Sequence, residues 1–112
     1  MDTAKAAAVL VNYPENIEGY LRGHFNFLSP GIPLIAIPTT SGSGSEVTHY
    51  ASITDTDKMA KNSLSHDYLY PRFAVLDPTL TLSLSPWQTA VRGMDALSHA
   101  IESYWSNRAP SV

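Results

Sequence analysis

Residues 33–38 read PLIAIP, an apolar run just long enough for one strand and closed by proline at both ends. No other stretch restricts the fold as much. A strand that is apolar on both of its alternating faces has to be covered on both sides. That points to the interior of a parallel sheet, because an antiparallel strand with one wet face alternates polar and apolar residues. RFAVLDP, residues 72–78, has the same character and carries a carboxylate at its C-terminal end.

Helical signals flank these strands. Asp2 or Thr3 is placed to cap a helix through the Ala-rich run from Ala4 to about Val11, which Pro14 ends. Residues 16–21 suit one more turn, and 22–31 read as loop. Residues 47–53 and 59–64 flank the turn signal TDTDK (54–58) and predict a hairpin. Ser85 as N-cap, Pro86 at the first helical position and Gln88 two residues later form a capping box. Gly93 is a point at which the helix that follows could kink or restart. The order helix, strand, loop, hairpin, strand, helix is α/β in type, with too few strands for a complete doubly wound sheet.

Composition narrows the function classes. One domain is the most that 112 residues support comfortably. Charged residues make up 15% against a usual ~25%, so much of the surface is suited to being covered by more chain or by a partner. A net charge of −3 with no basic stripe gives no support for nucleic-acid binding. There are no cysteines, which excludes disulfides and thiolate metal sites and fits a cytoplasmic protein. The N-terminus lacks the basic region and continuous apolar core of a secretory signal. No run approaches the ~18 apolar residues of a membrane span.

Directly after PLIAIP comes TTSGSGSE, residues 39–46. A loop of small residues at the C-terminal end of a parallel strand is where α/β proteins hold nucleotides. Gly42 and Gly44 allow backbone amides to approach an anion, and Thr39, Thr40, Ser41, Ser43 and Ser45 add short hydroxyl donors. The loop is neither a Walker loop nor GxGxxG. By itself it reads more readily as a flexible connection, since small polar residues cluster in many loops.

GMDALSHAIESYW, residues 93–105, sets Asp95 and His99 four apart on a helical stretch. Positions i and i+4 share a face, so a carboxylate and an imidazole can converge on one point, a donor pair suited to zinc or ferrous iron. Spacing alone favours the commoner alternative, an ordinary hydrogen-bonded polar pair, and two ligands do not make a tight site. Glu102 lies on nearly the same face as a supporting partner or a solvated charge. His24, His49 and His66 each stand in a different context. Lys61, in the predicted hairpin, reads alone as a surface lysine.

Taken together, PLIAIPTTSGSGSEVT, the turn and lysine, AVLDPTLTLSLSP and GMDALSHAIESYW resemble the iron-containing (group III) alcohol dehydrogenase family, in order and spacing as well as in words. The resemblance runs from Asp2 to about Ser106. It implies a fragment of a Rossmann-like nucleotide-binding domain (residues 1–84) running into the first helix of an all-helical metal-binding domain (85–112). PTTSGSGSE is similar to the family's PTTAGTGSE loop, which implies that Thr39, Thr40, Ser41, Gly42 and Ser43 contact NAD or NADP. Ser43 stands where threonine is commoner and keeps a hydroxyl. Lys61 matches the family's cofactor-contacting lysine, and Leu80 falls near the nicotinamide side. Asp95 and His99 match two metal ligands, with Fe2+ the expected ion and Zn2+ the alternative.

The implied substrate is a small alcohol or aldehyde, and the implied full-length form is a homo-oligomer. KNSLSH and DALSHAIESYWSN are further similar to phosphonoacetaldehyde reductases within the family. Two family features have no counterpart in these residues: a GGGS loop immediately before the DxAK segment, and two further histidine ligands. The expected behaviour of the 112 residues alone is therefore inactivity. The competing reading is a non-catalytic fragment or interaction module with exposed strand edges.

Overall fold

The computed structural model describes residues 1–14, 17–56 and 58–106. Asn16, Asp57 and residues 107–112, for which the sequence predicts part of the second helical turn, the hairpin turn and the helical domain, lie outside the described residues. The chain divides into two compact units. One comprises residues 1–37 with 45–75, the other residues 38–44 with 76–112.

The first unit is built on helix α1 (Asp2–Leu10), helix α2 (Ile17–Leu21), and an antiparallel hairpin of β2 (Tyr50–Asp55) and β3 (Ala60–Ser65). In the hairpin Tyr50 lies opposite Ser65 and Thr54 opposite Lys61. Ala6, Val9 and Leu10 from α1 meet Phe27, Ala51, Leu64 and Leu69 in one buried cluster, with Tyr13, Tyr20, Leu21 and Ile53 packed around it. Gly31 is required where the chain crosses α1. A Cβ there would lie 1.9 Å from the Ala8 carbonyl oxygen, and the neighbouring Ile32 amide donates to that oxygen at 2.8 Å.

The same unit holds the parallel pair, β1 (Ile35–Ala36) beside β4 (Phe73–Ala74), with Ile35 opposite Phe73 and Ala36 opposite Ala74. The parallel sense is as the sequence predicts, but the burial is not. Ala36 is buried, whereas Ile35 is 58% exposed and Ile37 and Phe73 are exposed too. Among the described residues this sheet has two strands, so each strand has a neighbour on one edge only.

The α1 cap also differs from expectation. Met1 occupies the N-cap without a side-chain bond, and Asp2 lies inside the helix with its carboxylate committed elsewhere.

In the second unit, helix α3 (Pro86–Trp105) is one continuous rod of 20 residues, ~30 Å long. Its start is the predicted capping box. The Gln88 amide donates to Ser85 Oγ at 3.2 Å, and the Ser85 amide donates to Gln88 Oε1 at 3.1 Å. Gly93 neither kinks nor restarts it. One glycine costs only ~1 kcal/mol relative to alanine, too little to break a helix capped this well. Ahead of it, Pro78–Thr81 form a 3-10 turn capped by Asp77, whose carboxylate accepts from the Thr79 amide at 2.9 Å and the Thr79 hydroxyl at 2.6 Å. Those bonds, the hydroxyl's first, hold the Asp77 carboxyl below the ordinary carboxylate range.

Candidate functional site

The predicted site residues fall into both units. Thr39–Ser43, Leu80, Asp95 and His99 belong to the second, and Lys61 lies exposed on β3 in the first.

Within the second unit the Gly/Ser loop approaches α3 closely at Gly42. Gly42 has φ +144°, a conformation that L side chains rarely adopt. A Cβ added there would lie 2.6 Å from the Arg92 carbonyl oxygen. Only glycine permits this approach. Gly44 also has a positive φ, +63°, but faces open space, so its requirement is conformational rather than steric. Thr39, Thr40, Ser41 and Ser43 around this contact are exposed.

Arg92 stands one helical turn before Asp95. Its Nη1 lies 4.0 Å from Asp95 Oδ2, and His99 Nε2 lies 3.8 Å from Asp95 Oδ1. The second distance exceeds hydrogen-bond length. Two donors bound ~2.1 Å from a tetrahedral ion stand roughly 3.4 Å apart, so a few tenths of an ångström of side-chain movement would bring this pair to chelating distance. The Asp95 side chain is 33% exposed and that of His99 52%. The arrangement therefore fits two ligands of a hard or borderline divalent ion on one helix face. Among the described residues no group of three or more His, Cys, Asp or Glu side chains converges on a point.

Leu80 sits in the 3-10 turn that Asp77 caps and is 38% exposed. That gives an apolar contact at the surface of the same unit.

Two features went unread in the sequence. One is the Gly42–Arg92 contact, which joins residues 50 positions apart and leaves no local pattern. The other is Lys5, the sole buried charged residue among those described. A cue existed for Lys5: it shares a helix face with Asp2 and Val9, at i−3 and i+4, and so interrupts an apolar stripe.

The sequence profile of the iron-containing alcohol dehydrogenases matches residues 1–78. The probable alcohol dehydrogenase EutG of Salmonella typhimurium is 44% identical over 104 residues, covering 93% of this chain and 26% of that protein. Long-chain-alcohol dehydrogenase 1 of Geobacillus thermodenitrificans is 43% identical, covering 99% of this chain and 28% of that protein. The crystal structure of sulfoacetaldehyde reductase from Bifidobacterium kashiwanohense in complex with NAD+ superposes with a TM-score of 0.90 at 38% identity, covering 99% of this chain and 29% of that one. The chain thus spans little more than a quarter of the length of these relatives. It belongs to the iron-containing alcohol dehydrogenase family.

Proposed function

We propose that this chain is the segment of a metal-dependent, NAD(P)-linked alcohol dehydrogenase or aldehyde reductase in which the cofactor loop and the first two metal ligands meet. One observation carries the reading. Gly42 rests against Arg92, one helical turn from Asp95 and within two turns of His99, so a loop suited to anions and a donor pair suited to a cation share one unit.

In this assignment Thr39, Thr40, Ser41, Gly42 and Ser43 hold the phosphates and ribose of NAD or NADP through amides and hydroxyls. Lys61 and Leu80 supply further cofactor contacts, one cationic and one apolar. Asp95 and His99 hold Fe2+, or Zn2+ in its place. When bound, the ion supplies Lewis acidity toward the substrate oxygen and the nicotinamide gives or takes the hydride. What these residues contribute is position: the glycines set how closely the amides approach, and α3 fixes the separation of the two donors. Residues 1–84 then belong to the dinucleotide-binding part and 85–112 open the helical metal-binding part.

The substrate class is a small alcohol or aldehyde. The finer assignment is a two-carbon aldehyde with an anionic head, such as phosphonoacetaldehyde. It is supported by KNSLSH and DALSHAIESYWSN and by the likeness to a reductase named for sulfoacetaldehyde. Because the described residues offer two metal donors and bury no residue of α3, the 112 residues alone are expected to show no dehydrogenase turnover.

Titration of the isotope-labelled chain with NAD+ tests the cofactor assignment. Amide shifts concentrated at Thr39–Ser43 and lost in Gly42→Val support it. Shifts that are absent, or scattered with no preference for the loop, sink it.

A further inference from the structure

Lys5 is 1% exposed, and a buried ammonium survives only if its donors are matched. Its Nζ donates to the Thr48 carbonyl at 2.6 Å and the Ser45 carbonyl at 2.9 Å, with a longer contact to Thr48 Oγ1 at 3.5 Å. Three acceptors face the three N–H bonds of a lysine. The two carbonyls belong to the first residue of the 3-10 turn Ser45–Val47 and to the residue just after it, so one cation ties both ends of that turn.

One turn earlier on α1, Asp2 grips the same segment. Its Oδ1 accepts from the Ser45 hydroxyl at 2.6 Å and its Oδ2 from the Ser52 amide at 2.9 Å. Burial lowers the affinity of Lys5 for its proton, and the nearby charges of Asp2 and Glu46 oppose that, favouring the ammonium form the bonds require.

Ser45 is where the chain leaves the Gly/Ser loop. We infer that Lys5 and Asp2 are positioning residues that clamp the C-terminal end of that loop and so set the backbone geometry in which its amides meet a dinucleotide phosphate. The cofactor half of this inference rests on the function proposed above. Lys5 spends its donors on the Ser45 and Thr48 acceptors, so it works through those residues rather than by proton transfer. The tie is electrostatic and local, while the hydrophobic cluster of α1 runs through Ala6, Val9 and Leu10. The two contributions can therefore be separated by substitution.

The test is amide hydrogen exchange and backbone relaxation on the labelled 112-residue chain, comparing wild type with Lys5→Met, which keeps the stem and removes the charge. The clamp predicts at least tenfold faster exchange at residues 45–48 and at Ser52, greater mobility at 42–44, and less than threefold change at Ile53 and Leu64. Uniform acceleration through α1 and the hairpin would make Lys5 core filling, and unchanged loop dynamics would remove the clamp altogether. Either result overturns the inference. If Lys5→Met does not fold, Ser45→Ala removes the hydroxyl bond to Asp2 without entering the core, and the same local pattern must appear there. An NAD+ titration of the variant that folds then reads the cofactor half. Binding weakened severalfold with an unchanged melting midpoint supports it, and unaltered binding overturns it. Should the wild-type chain show no NAD+ shifts, the proposed function and the cofactor half fall together, and the clamp stands or falls on exchange alone.

Discussion

Helices α1 and α3 are both amphipathic, yet they dispose of their apolar residues in opposite ways. Helix α1 buries Ala6, Val9 and Leu10 against the hairpin and satisfies even its one interior charge. Helix α3 carries Trp87, Val91, Met94, Leu97, Ile101, Tyr104 and Trp105, and every one is exposed, the two tryptophans by more than three quarters. A helix is normally held by packing along such a stripe rather than by propensity. In α3 the local devices remain: the capping box, the proline at the first position and the Gly42 contact at Arg92. The comparison separates a region stabilised by a core from one stabilised by ends and by a single backbone approach.

The largest expected effect probes the core side of that contrast. Leu69→Ala should cost about 2–5 kcal/mol in urea unfolding, the range for a buried leucine. Leu97→Ala in α3 should cost under ~0.5 kcal/mol, as exposed sites do. Equal costs would mean that α3 is packed in solution and would erase the distinction.

Gly42→Ala comes next, because the added methyl group meets Arg92 backbone at 2.6 Å in a conformation that strains any L residue. A penalty of ~1–3 kcal/mol is expected. It should be confined to the second unit: amide shifts should move at residues 40–44 and around Arg92 while Ile53 and Leu64 stay fixed. Ser85→Ala should weaken α3 by about 1 kcal/mol, read as lost helicity by circular dichroism.

The smallest effect is a pH dependence. Burial acts to raise the Asp2 carboxyl, but the Ser45 and Ser52 bonds and the Lys5 charge outweigh it and hold it below its ordinary value of 3.8. The folded form then binds that proton less readily than the unfolded form. Its stabilising contribution is complete above that value and is lost as the pH falls through the lowered folded one. The midpoint of the first unit should be level on the Asp2 account above about pH 4, fall below it, and lose part of that slope in Asp2→Asn.

Much of this organisation was legible in the sequence wherever the determinant is local. Ser85, Pro86 and Gln88 lie within four residues of one another and dictate the helix start without help from the rest of the chain. The hairpin followed from two strand-forming runs around a turn signal, displaced by a few residues at its first strand. The parallel strands were readable as strands because PLIAIP and RFAVLDP admit little else. Their burial was not, since it depends on how many neighbours the sheet supplies, and Ile35 and Phe73 find one edge only. Of the site, the Gly/Ser loop and the Asp95–His99 spacing could be read because each is short. Their juxtaposition through Gly42 and Arg92 could not, and neither could the use of Lys5, whose acceptors are backbone carbonyls 40 and 43 residues away.

In the proposed function Asp95 and His99 act together as metal donors rather than as a surface polar pair. Titrating the labelled chain with Zn2+, a diamagnetic stand-in for iron, tests it most directly, in wild type and in Asp95→Ala. If the two side chains chelate together, the shifts centre on Asp95 and His99 and collapse in the variant. Shifts centred instead on His24, His49 or His66, or a His99 response that survives Asp95→Ala undiminished, would contradict it.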